Sequence, residues 1–139
     1  MFKPVFRIWM GRAFIAAVLA MNLQSAAAFL VNPGRYAPAY ELVGIPGETA
    51  VRGFGILFLM WNIPYIFSCL HPRIHRISLY EAILMQTIGF VAESLVYKAL
   101  PSGYPTLGQS ILKFIVFDGI GLAALLAALI ITRNTKNGA

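Results

Sequence analysis

The chain has 139 residues, of which 59% are hydrophobic and 12% are charged, with eleven basic and five acidic side chains. One ordinary domain has about this length, but soluble domains contain roughly 45–50% apolar and about 25% charged residues. A water-soluble fold of this size exposes too much surface to conceal so much apolar sequence. The composition therefore excludes a soluble protein and predicts an integral membrane protein.

The apolar residues form four continuous windows, and Glu93 and Asp118 are the charged residues that lie inside them. The windows are Ala13–Val31, Gly53–Leu70, Ala82–Tyr97 and Phe114–Thr132. Each approaches the ~20 residues that a helix needs to cross a hydrocarbon core of ~30 Å, and none alternates like a membrane β-strand. We therefore predict an all-α polytopic membrane protein, one domain over residues 1–139, in which four transmembrane helices form a compact bundle. The predicted spans cover about residues 8–31, 50–70, 78–99 and 110–132.

The segments between the spans suggest how the helices begin and end. Asn32–Glu48 is rich in proline and glycine, which predicts turns and not a helix. Ser78 and Glu81 have the spacing of a capping box at the start of the third span.

Small residues at helical spacing predict where the helices touch, since they allow two backbones to approach closely. Such residues recur on the first and fourth spans, which we therefore expect to be among the closest neighbours. They are Ala13, Ala16, Ala17 and Ala20, and Gly119, Ala123 and Ala127.

The sequence holds little recognisable chemistry. Cys69 is the single cysteine, which excludes disulfide exchange within the chain, and the two histidines, His71 and His75, lie between spans. We find no phosphate-binding loop, catalytic triad or zinc-protease motif. The sequence therefore predicts no catalytic residue, no metal ligand and no obligatory cofactor, and it favours a non-enzymatic role.

The polar residues that lie inside the predicted spans are the best indication of a functional site in this sequence. An ionised carboxylate at the centre of a transmembrane helix costs roughly 2.5–3.5 kcal/mol. We therefore expect Glu93 and Asp118 to face away from lipid, in one polar region of the outer half. The candidate pocket residues are Glu93, Asp118, Gln86, Asn22, Gln24, Arg52 and Asn62.

Three roles stay open for these residues. They could pair structurally, with Arg52, Lys98 or Lys113 neutralising the acids; they could form a pocket for a ligand or proton; or they could contact another membrane subunit. Five aromatic residues could line an apolar cavity beside them, although aromatic residues at helical spacing usually serve packing. These are Trp61, Tyr65, Phe90, Tyr97 and Phe117.

The run Val51-Arg52-Gly53-Phe54-Gly55 opens the second span after a proline-containing outer loop. In this feature and in its four spans the chain resembles the DoxX-like membrane proteins, mainly over residues 11–70. The resemblance implies a four-helix bundle and an association with quinone- or thiol-linked redox systems. It transfers no catalytic residue, and a thiol role would require a second cysteine.

Two hypotheses of function follow, and a third is open. The leading one is an accessory or stabilising subunit of a larger membrane complex, or a free-standing DoxX-like bundle. The alternative is a protein that handles a quinone, lipid or proton in an outer-half polar pocket at Glu93 and Asp118. A small oligomeric channel would use one of these acids as a pore ring. The expected partners are the lipid bilayer and other membrane subunits, and not nucleic acid.

The basic residues predict the orientation of the chain. Four of them, Arg35, Arg52, Lys98 and Lys113, fall on one side of the membrane, and seven fall on the other. By the positive-inside rule the seven lie in the cytoplasm, together with both termini, in a bacterial inner (plasma) membrane. They are Lys3, Arg7, Arg12, Arg73, Arg76, Arg133 and Lys136.

We expect reporter fusions after Pro38 and Gly103 to report an external location, and fusions after Pro72 and Ala139 an internal one. A periplasmic-active phosphatase and a cytoplasm-active β-galactosidase fused at the same four positions provide the matched readouts. An external carboxyl terminus would contradict the predicted orientation.

Overall fold

The computed structural model describes residues 4–133, which contain four long helices and no strand. The long helices are α1 (Pro4–Val31), α3 (Gly44–Leu70), α4 (Arg76–Ala99) and α5 (Pro105–Thr132). Each is long and apolar enough to cross a membrane. The predicted all-α fold with four membrane-compatible helices in a compact bundle is thus confirmed.

A small cap lies between the first two long helices. It consists of the short helix α2 (Pro33–Tyr36) and a 3-10 turn (Ala37–Tyr40), and we call residues 33–40 the cap. The prediction that Asn32–Glu48 has no helix is therefore wrong. The error arose because the prolines were taken as turn residues. A proline ring also suits the first turn of a helix, where the backbone N–H group has no intrahelical partner.

The four long helices end where the sequence predicts, but each begins two to six residues earlier. Pro105 opens α5, and Pro46 lies in the first turn of α3. The predicted capping box is also wrong, because α4 begins at Arg76 and has no side-chain hydrogen bond at its cap. Its first turn continues from a backbone turn in which the His75 amide donates to the His71 carbonyl over 2.9 Å.

Each long helix packs on two others, in the order α1, α3, α4, α5 and back to α1. The pairs α1–α3 and α4–α5 pack most extensively, and α3–α4 pack least. α1 and α5 are neighbours as expected, although α1 packs more extensively on α3, and α5 packs more extensively on α4.

The buried faces of α1 and α5 differ from the predicted small-residue stripes. On α5, Gly121 and Ala128 are buried while Ala123 is exposed. On α1, Ile15 is buried while Ala13, Ala16, Ala17 and Ala20 are exposed. The stripe prediction is thus wrong for Ala123 and for the alanines of α1, but Gly119 does face α4, since a Cβ atom there would lie 3.3 Å from the Phe90 ring. The Gln86 side chain lies against Gly121, outside the predicted stripe.

The core changes character along the bundle. The half that holds the amino terminus of α1 is mainly aliphatic, with Ile15, Leu79 and Leu125 completely buried. The opposite half is aromatic and centres on Phe29, whose ring lies 5.3–6.3 Å from four other rings. These belong to Tyr36, Tyr40, Phe58 and Phe114.

Three arginines fasten the helix ends in the aliphatic half. The Nε atom of Arg7 donates to the Ile131 carbonyl over 2.8 Å, and that of Arg12 donates to the Cys69 carbonyl over 2.9 Å. Arg73 donates to the Thr132 carbonyl over 3.1 Å. The last carbonyls of a helix lack intrahelical donors, so each guanidinium satisfies such a group on another element. We call this end of the bundle the arginine end.

Two glycines of α3 provide a matched test of helix packing. A Cβ atom on Gly55 would lie 2.8 Å from Leu30 Cγ and 3.1 Å from the Ala26 carbonyl oxygen, whereas one on Gly53 would meet nothing within 4 Å. We expect Gly55→Leu to lower the free energy of unfolding by about 1–3 kcal/mol, because it overpacks the α1–α3 contact. Thermal unfolding in detergent measures this effect, and Gly53→Leu is the control. Equal tolerance of both changes would contradict the packing.

Candidate functional site

A chain of polar side chains crosses the bundle interior, with one residue from each long helix. The Tyr65 hydroxyl donates to Gln86 Oε1 over 2.6 Å, and Gln86 Nε2 donates to Asp118 Oδ1 over 2.7 Å. Asn22 of α1 is buried and lines the same cavity as these three side chains. We call Asn22, Tyr65, Gln86 and Asp118 the polar chain.

The polar chain requires two glycines. A Cβ atom on Gly121 would lie 2.6 Å from Gln86 Nε2, and one on Gly89 would collide with Asp118 Oδ2. Any larger residue at either position would displace a hydrogen-bonded group. The close approach of α4 and α5 at this level therefore depends on the absence of side chains at Gly89 and Gly121.

Glu93 lines the same cavity as the four residues of the polar chain. Its Oε2 atom is buried and has no hydrogen-bond partner among the described residues. Burial, and secondly the nearby charge of Glu93, raise the pKa of the Tyr40 hydroxyl in the cap above its ordinary value.

The acids lack the basic partners that the sequence suggests. Arg52 is within 4.0 Å of Glu48 on the surface, and no basic side chain among residues 4–133 comes within that distance of Glu93 or Asp118. Lys113 is exposed and lines a separate cavity. The structural pairing considered for these residues is therefore absent from the described part of the chain.

Glu93 and Asp118 line one cavity of about 230 Å³. Asn22 and Gln86 line it with them, and its remaining wall is largely apolar. Five aromatic side chains contribute to that wall: Phe54, Phe58, Trp61, Tyr65 and Phe114. The cavity thus combines two carboxyl groups and two amide groups with a largely aromatic wall. We call it the acidic cavity.

The acidic cavity reaches the side of the bundle between α3 and α4. Leu57 and Trp61 of α3 and Ile88 of α4 line it and are each about half exposed. These two helices are also the adjacent pair with the least contact. The cavity therefore opens towards the surface that faces lipid in a membrane.

The other predicted pocket residues lie elsewhere. Gln24 lines a second cavity of about 310 Å³ between α1, the cap and α5, and Arg52 is exposed. Asn62 is buried, but its Nδ2 atom donates to the Phe58 carbonyl of its own helix over 2.5 Å, and it does not line the acidic cavity. Asp118 lies thirteen residues into α5, about 20 Å from its start, and therefore near the middle of the helix.

The aromatic prediction is partly confirmed. Trp61 and Tyr65 line the acidic cavity, whereas Phe117 lines the second cavity and the Phe90 ring lies by Gly119. Phe54, Phe58 and Phe114 also line the acidic cavity, and they were not predicted from the sequence. Their spacing from Trp61, Tyr65 and Asp118 in steps of three, four and seven would have placed them on the same helix faces.

Comparisons with protein-family models, with curated proteins and with solved structures find no match for this chain. The resemblance of residues 11–70 to DoxX-like proteins therefore stays a prediction.

Gln86 is the centre of the polar chain, and replacing it tests that chain. We expect Gln86→Met to lower the free energy of unfolding by about 1–3 kcal/mol, because it removes the shorter hydrogen bond of the Tyr65 hydroxyl, which keeps the Ala82 carbonyl at 3.2 Å, and leaves Asp118 Oδ1 without the Gln86 donor. Gln24→Met, an equivalent change at an exposed glutamine, should have little effect. Thermal unfolding in detergent measures both variants, and equal melting temperatures would contradict a stabilising polar chain.

Proposed function

We propose that this chain is a small non-enzymatic integral membrane protein that binds a membrane-dissolved molecule in the acidic cavity. The observation that carries the proposal is a cavity with two carboxyl groups and aromatic walls, which opens sideways between α3 and α4. Carboxyl groups without basic partners are costly in an apolar setting, so their placement favours a site over simple packing.

The shape of the cavity supports this proposal. Ligand sites are concave, mostly apolar, and contain a few polar groups that orient the ligand. Here the apolar part of a ligand would lie against Phe54, Phe58 and Trp61, and its polar group would face Glu93 and Asp118. A quinone or lipid of suitable size has this general form, and it would enter from the bilayer.

A fluorescence experiment tests the proposal with 1-aminoanthracene, a neutral aromatic probe with one polar amino group. The chain has two tryptophans, so Trp9→Phe leaves Trp61 in the cavity wall as the energy donor. We expect the probe to accept energy from Trp61. In this background Ala92→Phe should weaken probe binding about tenfold or more, because the added ring fills the cavity opening.

Val91→Phe is the matched control, because Val91 is the exposed neighbour of Ala92 and does not line the cavity. It should leave probe binding unchanged. Absence of energy transfer, or equal binding to both variants, would reject the acidic cavity as a binding site.

A second candidate function, the accessory subunit of a larger membrane complex, is favoured by the lipid-facing surface of α1. Ala13, Ala16, Ala17 and Ala20 are exposed there, and such small residues would let a helix of another protein approach closely. Native mass spectrometry after gentle extraction would separate the two candidates. A stoichiometric partner protein supports the subunit role, and a lone chain contradicts it.

The orientation is part of the proposal. Arg7, Arg12 and Arg73 all lie at the arginine end, which holds the amino terminus of α1 and the carboxyl terminus of α5. This distribution supports a cytoplasmic location for that end in a bacterial plasma membrane.

A further inference from the structure

Within the proposed binding function, we infer that the ligand of the acidic cavity is a lipophilic cation, with a positively charged nitrogen on an apolar or aromatic body. The inference depends on the proposed function, because it assigns a chemical class to the molecule held in that cavity. It rests on the charges, the free hydrogen-bonding atoms and the walls of the cavity.

The charges of the cavity lining have one sign. Glu93 and Asp118 are its acidic residues, and no lysine, arginine or histidine of residues 4–133 is among the side chains that line it. Two basic residues that the sequence suggested as partners of the acids lie elsewhere, since Arg52 pairs with Glu48 and Lys113 lines the second cavity. A bound cation would supply the missing opposite charge.

The hydrogen-bonding atoms of the cavity distinguish ligand classes. The Tyr65 hydroxyl and Gln86 Nε2 already donate to partners within the polar chain. The second oxygen of Asp118 lies beside Gly89 at the cavity wall, and Glu93 Oε2 has no partner among the described residues. The cavity thus offers carboxylate acceptors, which suit a cation or a donor group better than the acceptor oxygens of a quinone.

The walls of the cavity favour the same class. The faces of aromatic rings attract cations through the ring quadrupole, most strongly when water is excluded. Phe54, Phe58, Trp61 and Phe114 bring such rings to the cavity that holds the two acids. Aromatic faces and carboxylates together form the kind of site that recognises alkylated ammonium groups.

Displacement of 1-aminoanthracene by two molecules of nearly the same shape tests the inference. Benzyltrimethylammonium carries a positive nitrogen where neopentylbenzene carries a neutral carbon. The quantity measured is the ratio of their displacement constants in the Trp9→Phe protein, compared with the same ratio in variants. Partitioning into detergent cancels in this comparison, because it is identical for every protein.

We expect Glu93→Gln to shift the ratio about tenfold towards the neutral molecule, and Asp118→Asn to shift it in the same direction. Glu93→Gln is the safer variant, because Oε2 has no hydrogen bond to lose among the described residues. Glu48→Gln changes an acid outside the cavity and should leave the ratio unaltered.

The outcomes separate the two proposals. If the probe binds and neither cavity variant shifts the ratio, the cationic ligand is excluded while the binding function stands. If the probe does not bind at all, the binding function fails and the inference fails with it. A shift in the cavity variants without one in Glu48→Gln supports the cation.

Discussion

The need to satisfy polar groups inside an apolar bundle determines much of this structure. Tyr65, Gln86 and Asp118 come from three different helices and meet in one set of hydrogen bonds, and Asn22 of α1 lines the same cavity. In a low-dielectric interior an unsatisfied group of this kind costs more than it does in water. The polar chain therefore constrains how α3, α4 and α5 are rotated about their axes, because Tyr65, Gln86 and Asp118 have to face one another. Apolar side chains constrain this rotation less in a membrane, where lipid is as apolar as they are.

The sequence was sufficient to predict the number of spans, their carboxyl-terminal limits and the gathering of Glu93, Asp118, Gln86 and Asn22. These features follow from composition and from the cost of charge at membrane depth. The first residues of the helices were predicted less well. Proline occurs both in loops and in the first turn of a helix, and Pro46 and Pro105 lie in the first turns of α3 and α5. Where a helix begins with proline or glycine, its first residue can be identified only from its contacts in the folded structure.

The rotation of each helix about its axis, which decides which face is buried, could not be predicted from the sequence pattern either. Ala123 and Gly121 lie two positions apart and are both small, yet one is exposed and the other contacts Gln86. The choice between them depends on a hydrogen bond between α4 and α5, a contact between residues 32 positions apart in the chain. The aromatic wall of the acidic cavity likewise combines side chains of α3 with Phe114 of α5, and spacing within one helix does not predict that two helices bring their rings together.

The arginine end has a mechanical consequence. Arg7, Arg12 and Arg73 join the ends of α3 and α5 to other elements there, and a short connection joins α3 to α4. These two helices share less contact than any other adjacent pair, and residues of both line the acidic cavity. These hydrogen bonds therefore tie the helices together at the arginine end. A ligand that entered the acidic cavity sideways would have to pass between the two adjacent helices that share the least contact.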